Sequence, residues 1–230
     1  YEALVAECVD ELCSLTDSDE SLSSVFWRRS LHAGTPQARL PSGEIADLKA
    51  LTTDDVRAAY RSRWRPEEQV WVFVGDVQPD YCNQLVEEWL GELVGDAALD
   101  SHLPSVPTLS GARFVVVDKP DRTQVQLRVG QPVMDGFHDD VEPFWLGSTA
   151  FGGTFTSAFT HKIREERGWS YFAFSEFRRN RRHPISFILH TAPAIGDLLD
   201  CLTLELDLYR GLGRADLEVS EVERARTYLL

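Results

Sequence analysis

Arg164 and Tyr171 are two hydrogen-bond donors that lie seven positions apart in the segment 151–171. A guanidinium and a phenol can both donate to an oxygen on which negative charge develops during a reaction, and one such donor contributes about 10²–10³ in rate. Each residue also has an ordinary structural interpretation: Arg164 as a solvated helix charge, and Tyr171 as a strand aromatic that covers the core. Their position in one segment predicts that they form one site.

The segment 151–171 predicts a turn followed by a short helix. Gly152 and Gly153 allow the backbone to turn tightly after an apolar helix. Thr156 or Ser157 can then cap a new helix, because a hydroxyl at that position accepts from the free N–H groups of the first turn. The charged run that follows is expected to lie on this helix.

The end of this helix and the next strand are expected to bring the two donors together. Gly168 is typical of a residue that ends a helix, and Tyr171 begins an aromatic stretch, 171–178, that predicts a strand. Because Arg164 lies near the helix end, the two side chains converge on one side of a helix-to-strand corner. Arg164 and Tyr171 are therefore the candidate catalytic residues.

The chain after residue 111 predicts an α+β layer. Its elements follow the order β-β-α-α-β-β-α-α, which indicates a mixed or mainly antiparallel sheet backed by helices rather than alternating β-α units. The expected strands are 112–117, 124–129, 171–178 and 185–192, and the expected helices are 141–150, 157–164, 198–209 and a last helix with a capping box at Ser220 and Glu223.

The first half of the chain predicts a helix-strand-helix unit after a long irregular stretch. Residues 16–43 are rich in Ser, Asp, Gly and Pro and predict a loop or short helices. A helix is expected from Thr52 or Thr53 to residue 64, a strand at 69–74, and a second helix from about residue 80 to residue 93. Residues 98–111 lose this periodicity and carry two prolines, which predicts a linker between domains 1–97 and 112–230.

Charge and cysteine content exclude several classes of protein. Lys and Arg number 23 against 37 Asp and Glu, a net charge of −14 that argues against nucleic-acid binding and suits a basic peptide, although solubility alone also accounts for it. The four cysteines lack zinc-finger or disulfide-framework spacing, so we expect reduced thiols and a cytoplasmic location, with an oxidised pair left open. No run of about 18 apolar residues is present, so no membrane insertion is expected.

Three segments of the sequence resemble the pitrilysin/insulinase group of zinc metallopeptidases, the inverzincins. Gly152-Gly153 followed by Ser157-Ala-Phe159 and Arg164-Glu-Glu-Arg-Gly-Trp-Ser-Tyr171 resembles the group's Gly turn, Ser-Arg-Leu-Phe and Arg-Glu-Lys-Arg-Gly-Leu-x-Tyr pattern, with Ala158 in place of Arg. The run 72–77, Val-Phe-Val-Gly-Asp-Val, resembles a strand that ends in Val-Gly-Asp, and residues 51–66 resemble the helix before it. The group includes the mitochondrial processing peptidase and the core subunits of the respiratory cytochrome bc complex.

This resemblance implies the fold and the arrangement of the site. It implies two related domains, each a mainly antiparallel sheet backed by helices, with residues 1–97 as the later part of the first and 112–230 as a second that is incomplete at its C-terminus. In such peptidases two halves close over a peptide, one carrying zinc and the other an Arg and a Tyr, and Arg164 and Tyr171 match that pair.

The zinc-binding motif of this group is not in the sequence. The motif H-x-x-E-H needs two histidines one helical turn apart, and no two of the six histidines lie three or four positions apart. We therefore expect no cofactor in this chain, and zinc in a partner half or in a missing segment. The expected partners are a peptide substrate and a zinc-bearing peptidase subunit, which would make a hetero-oligomer.

Three functional alternatives remain open from the sequence. The first is the non-zinc half of a two-part zinc endopeptidase, without hydrolysis by this chain alone. The second is a catalytically inactive structural subunit of the same fold. The third is a piece of a single-chain active peptidase, because the helical pattern starts at Tyr1 without a capping residue before it.

Overall fold

The structure of the protein is a computed structural model, which describes residues 1–63, 69–91, 110–178, 185–213 and 217–230. These residues form two compact units. One unit contains Tyr1–Leu12 and the described part of Ser42–His102, and the other contains Cys13–Pro41 and the described part of Leu103–Leu230. The predicted linker 98–111 lies almost wholly outside the described residues, and the division into domains 1–97 and 112–230 stays a prediction.

The first unit consists of helices and extended chain. Helix α1 (Glu2–Ser14) begins in this unit, and α3 (Ile45–Ala50), α4 (Thr53–Arg63) and α5 (Pro79–Leu90) follow within it. The start of α4 is fixed by a reciprocal pair: the Thr52 N–H donates to the Asp55 carboxylate at 2.9 Å, and the Asp55 N–H donates to the Thr52 hydroxyl at 3.2 Å. Both predicted helices of this half are confirmed.

The strand expected at 69–74 is not formed. Among the described residues of this unit no strand is present, and the side chains of Val70, Val72 and Val74 are exposed. A run of β-branched and aromatic residues suits a strand, but the strand itself requires hydrogen bonds from a neighbouring chain segment, which a local pattern does not reveal. The prediction for 69–74 was wrong for that reason.

The second unit contains a helix in the stretch for which the sequence predicted a loop or short helices. Helix α2 (Asp19–Leu31) occupies much of the stretch 16–43, and the Ser18 hydroxyl accepts from the Ser21 N–H at 3.1 Å as its N-cap. Acidic residues lie in its first turn and arginines in its last, as the helix dipole favours. Of the two alternatives, a helix is formed over much of this stretch, and Ser18 and Asp19 mark its start.

Three antiparallel strands form the sheet of the second unit, in the order β1-β3-β2. They are β1 (Leu127–Met134), β2 (Ala173–Arg178) and β3 (Ile185–Thr191). Every residue of the central strand β3 is buried, whereas residues 112–117, an expected strand, are exposed and form none. The α+β class with an antiparallel sheet is confirmed, with one strand rather than two before the helix expected at 141–150.

Helices α6 (Val141–Gly152), α8 (Leu198–Leu212) and α9 (Val219–Leu229) complete the second unit. The capping box of α9 joins Glu218 and Glu221, so the prediction of Ser220 and Glu223 was wrong by two positions. A hydrophobic core unites α6, the helical segment 158–166, β2, β3 and α8 through Phe151, Phe159, Ile163, Ala173, Phe187, Leu189 and Cys201. The four cysteines form no disulfide. None of the helices in the described ranges is long and apolar enough to cross a membrane.

Candidate functional site

Close packing of α6 on β2 fixes the glycine turn that precedes the candidate site. A Cβ atom on Gly152 would lie 2.8 Å from the backbone nitrogen of Ser175. The Ser175 hydroxyl in turn donates to the carbonyl oxygen of Ser148 at 2.8 Å. Glycine is therefore needed at 152 because helix and strand approach each other closely there.

The helix that carries Arg164 is short and changes type along its length. Helix α7 (Ala158–Thr160) continues as a π-helical turn over His161–Glu166. Such turns are rare and occur frequently at functional sites. Ser157 stands at the N-cap position, but its hydroxyl donates to the carbonyl oxygen of Thr154 at 2.7 Å, so the predicted side-chain cap is not made.

The corner after this helix is held by backbone hydrogen bonds and by one serine hydroxyl. Gly168 has a φ of 66°, and its N–H donates to the carbonyl oxygen of Arg164 at 3.1 Å, which confirms the predicted helix end. The Trp169 N–H donates to the carbonyl oxygen of Ile163 at 3.2 Å. On the other side of the corner, the Ala192 N–H donates to the Ser170 hydroxyl at 2.9 Å. These bonds tie the corner both to the helix and to the end of β3.

The structure places Arg164 and Tyr171 side by side. The guanidinium carbon of Arg164 lies 5.2 Å from the centroid of the Tyr171 ring, within the range of a cation–π contact. Tyr171 is 77% exposed. The sequence predicted it as the first residue of a strand, but it stands two residues before β2. The convergence of the two side chains is present, and their catalytic role stays a prediction.

A third side chain, Phe155, contacts the same guanidinium. Its ring centroid lies 5.3 Å from the guanidinium carbon of Arg164, and the side chain is 71% exposed. Phe155 was not predicted as a site residue, although an aromatic side chain within the turn before the helix was a usable signal. Glu165 completes the surroundings, with its carboxylate 3.5 Å from Nε of Arg164.

Burial of neighbouring residues determines which part of the helix faces solvent. Phe159 and Ile163 are fully buried in the core, and Arg164 directly follows Ile163. The hydroxyl of Thr160 donates to the carbonyl oxygen of Ala173 at 2.6 Å and so fastens the helix to the start of β2. The helix therefore has one face fixed in the core, and the Arg164 side chain at the neighbouring position is 31% exposed.

A buried carboxyl group lies behind the corner. Glu205 on α8 is fully buried, and its Oε1 accepts from the Thr191 hydroxyl at 2.5 Å. Burial raises the pKa of Glu205 to about 7, and burial also raises the pKa of the neighbouring Cys201 thiol to about 12. Glu205 was not predicted as a buried group, although its spacing of seven from Leu198 places it on the predicted apolar face of the helix.

The ligands of a zinc ion are not assembled in the described part of the chain. No group of three or more His, Cys, Asp or Glu side chains there is placed to hold a metal ion. A zinc site of the peptidase type needs three protein ligands and an open position. The described residues therefore do not fit that metal.

Comparisons with known proteins point to one family. The chain is 23% identical over 168 residues to an uncharacterized zinc protease of Mycobacterium leprae, covering 73% of this chain and 38% of that protein. Among solved structures, a peptidase M16 inactive domain from Pseudomonas fluorescens matches with a TM-score of 0.89 and 18% identity, over 99% of this chain and 55% of that one. The periplasmic protease PqqL from Escherichia coli matches with a TM-score of 0.69 and 18% identity, over 99% of this chain and 25% of that one.

These likenesses agree with the resemblance found in the sequence. The structural matches show the shared fold, and the chain spans little more than half of the Pseudomonas fluorescens chain and less of the other two. The family model described as the peptidase M16 inactive domain matches residues 50–229. Because that match covers most of the sequence, the resemblance to a zinc metallopeptidase family is confirmed, and the chain belongs to the M16 peptidase family.

Proposed function

We propose that this chain acts as the half of a two-part zinc endopeptidase that binds the peptide carbonyl through Arg164 and Tyr171. The zinc-bearing half is a separate subunit or another part of the same polypeptide. The observation that carries the proposal is the contact of 5.2 Å between the Arg164 guanidinium and the exposed Tyr171 ring at one corner. The match to a domain described as inactive agrees with a half that does not cleave peptides alone.

The proposed chemistry needs only hydrogen-bond donors from this chain. As water attacks the scissile peptide bond, the carbonyl oxygen gains negative charge, and Arg164 N–H and Tyr171 O–H groups donate to it. Donors held in place before the reaction stabilise that charge without reorganisation, and one is worth about 10²–10³ in rate. The corner is suited to this because main-chain hydrogen bonds tie it to the helix, and the Ser170 hydroxyl, which accepts from the Ala192 N–H, ties it to the end of β3.

Glu165 competes with a peptide carbonyl for the Arg164 guanidinium. Its carboxylate is a partner for the Arg164 guanidinium at 3.5 Å, and the Glu165 side chain is 56% exposed. The Arg164 side chain is 31% exposed, and an ion pair that stays open to solvent in this way contributes at most about 1 kcal/mol. A peptide carbonyl can therefore compete for the guanidinium N–H groups without a large cost.

Reconstituted hydrolysis tests the proposal. The chain is mixed with its zinc-bearing half, and cleavage of a quenched fluorescent peptide is followed for Arg164→Ala and Tyr171→Phe. Each change should lower kcat by about 10²–10³ because each removes one donor to the developing charge. Arg167→Ala is the matched control, since Arg167 lies on the same corner but stacks on Trp169, with its guanidinium carbon 5.4 Å from that ring.

The results also separate the proposed function from its alternative, an inactive structural subunit of the same fold. That alternative has the same family match in its favour. If reconstituted hydrolysis is unchanged by Arg164→Ala and by Tyr171→Phe, the two donors are idle and the structural role is correct. A loss confined to these two variants, with Arg167→Ala active, supports the peptidase half.

A further inference from the structure

Phe155 is an exposed aromatic side chain that contacts the Arg164 guanidinium from the turn before the helix. We propose that Phe155 is a positioning residue, which holds that guanidinium in the orientation needed to bind the substrate carbonyl. This inference rests on the proposed function of Arg164. Phe155 itself is not expected to touch the reacting atoms.

The flexibility of arginine is the reason that such a residue is needed. An arginine side chain carries about 2 kcal/mol of rotamer entropy, and ordering it during the reaction would cost part of that energy. The Arg164 guanidinium is instead in contact with two rings, with its central carbon 5.3 Å from the Phe155 centroid and 5.2 Å from the Tyr171 centroid. Two cation–π contacts favour one orientation before substrate binds.

The backbone next to Phe155 is anchored to the helix that carries Arg164. The carbonyl oxygen of Thr154 lies 2.7 Å from the Ser157 hydroxyl and 3.0 Å from the Thr160 hydroxyl. Both hydroxyls belong to the beginning of that helix. The Phe155 ring is therefore carried by a turn whose position follows the helix.

The exposure of Phe155 argues against a role in the core. The side chain is 71% exposed, whereas Phe151 and Phe159, four residues to either side, are almost fully buried. Substitution of Phe155 should therefore leave the fold intact. Its effect should appear in the behaviour of Arg164.

The first measurement is independent of catalysis. In two-dimensional NMR of the whole chain, ring currents should displace the Nε–H resonance of Arg164 from the position of a solvated arginine. Phe155→Leu should move this resonance toward that position, and Phe155→Tyr should keep it displaced. Phe137→Leu is the matched control, because Phe137 is 77% exposed and lies outside the corner. An Arg164 resonance unaffected by Phe155→Leu overturns the proposal.

The second measurement uses the reconstituted peptidase. Loss of one exposed cation–π contact should lower kcat/KM about two- to fivefold in Phe155→Leu, with Phe155→Tyr restoring it. If Arg164→Ala lowers hydrolysis but Phe155→Leu does not, the positioning role is wrong and the proposed function stands. If Arg164→Ala has no effect, the proposed function is wrong and the positioning role is wrong with it.

Discussion

The buried carboxyl of Glu205 makes a specific prediction about stability and pH. Its Oε1 accepts from Thr191 and lies 3.7 Å from the Cys201 sulfur, while its Oε2 has no hydrogen-bond partner among the described residues. Burial is the main cause that raises the pKa of Glu205 from its usual 4.5 to about 7 in the folded protein. The group is therefore neutral when folded and ionised when unfolded over that pH interval.

The sign and size of the effect follow from proton binding. Between pH 4.5 and about 7 the folded protein holds a proton on Glu205 that the unfolded protein has lost. The stabilisation is complete below pH 4.5 and is lost as the pH rises through about 7. At about 1.4 kcal/mol for each pH unit, the loss across the whole interval amounts to about 3 kcal/mol.

Glu205→Gln tests this by removing the titration while keeping the shape. The amide oxygen can still accept from Thr191, so the variant should show a weaker dependence of stability on pH. Urea unfolding of both proteins from pH 4.5 to 8 should give a difference in free energy of unfolding that shifts by about 3 kcal/mol in favour of the variant as the pH rises. All other titrating groups cancel in that difference.

A matched control and a refuting result complete the test. Glu223→Gln makes the same chemical change at an exposed site, where the side chain is 62% exposed and the carboxylate lies 3.7 Å from Arg226. Its difference from the unmodified protein should stay within about 1 kcal/mol throughout the pH range. If the difference for Glu205→Gln is equally constant, Glu205 is not a neutral buried acid and the reasoning fails.

Two further predictions concern stability alone. Gly152→Ala should lower the free energy of unfolding by about 1–3 kcal/mol, since its Cβ would lie 2.8 Å from the Ser175 nitrogen, whereas Gly147→Ala in the same helix meets nothing within 4 Å and should be neutral or stabilising. Equal effects of the two changes in urea unfolding would contradict this account. Ser18→Ala should lower the free energy of unfolding by about 1 kcal/mol because the Ser18 hydroxyl caps α2 through the Ser21 N–H, and Ser18→Asn, which keeps a capping side chain, should not. Thermal unfolding measures both variants, and an unchanged stability of Ser18→Ala would show that the cap is unimportant.

The parts of the site that depend on local sequence were predictable. The helix end at Gly168 depends on a left-handed backbone that glycine adopts at little cost, and the sequence shows the glycine directly. The convergence of Arg164 and Tyr171 follows from one helix end and one corner. Both are short-range features, so the eight residues 164–171 contain most of the information.

The parts that depend on distant residues were not predictable in the same way. Residues 69–74 and 112–117 have strand composition, but in the described chain neither run has a strand beside it. The contact of Phe155 with Arg164 needs the exact path of the turn between them. The burial of Glu205 depends on β3 covering α8, and a helical pattern alone shows only that Glu205 shares a face with apolar residues.

The corner that displays Arg164 and Tyr171 is held by main-chain bonds, by a glycine and by the Ser170 hydroxyl, and none of these contacts uses the two side chains that it presents. Substitution of the two displayed residues should therefore change the free energy of unfolding only slightly. A lineage that abandons cleavage can keep the same loop, and another can acquire a new preference there by a single codon change. In this architecture, the backbone of the corner can be conserved while the side chains that it displays change.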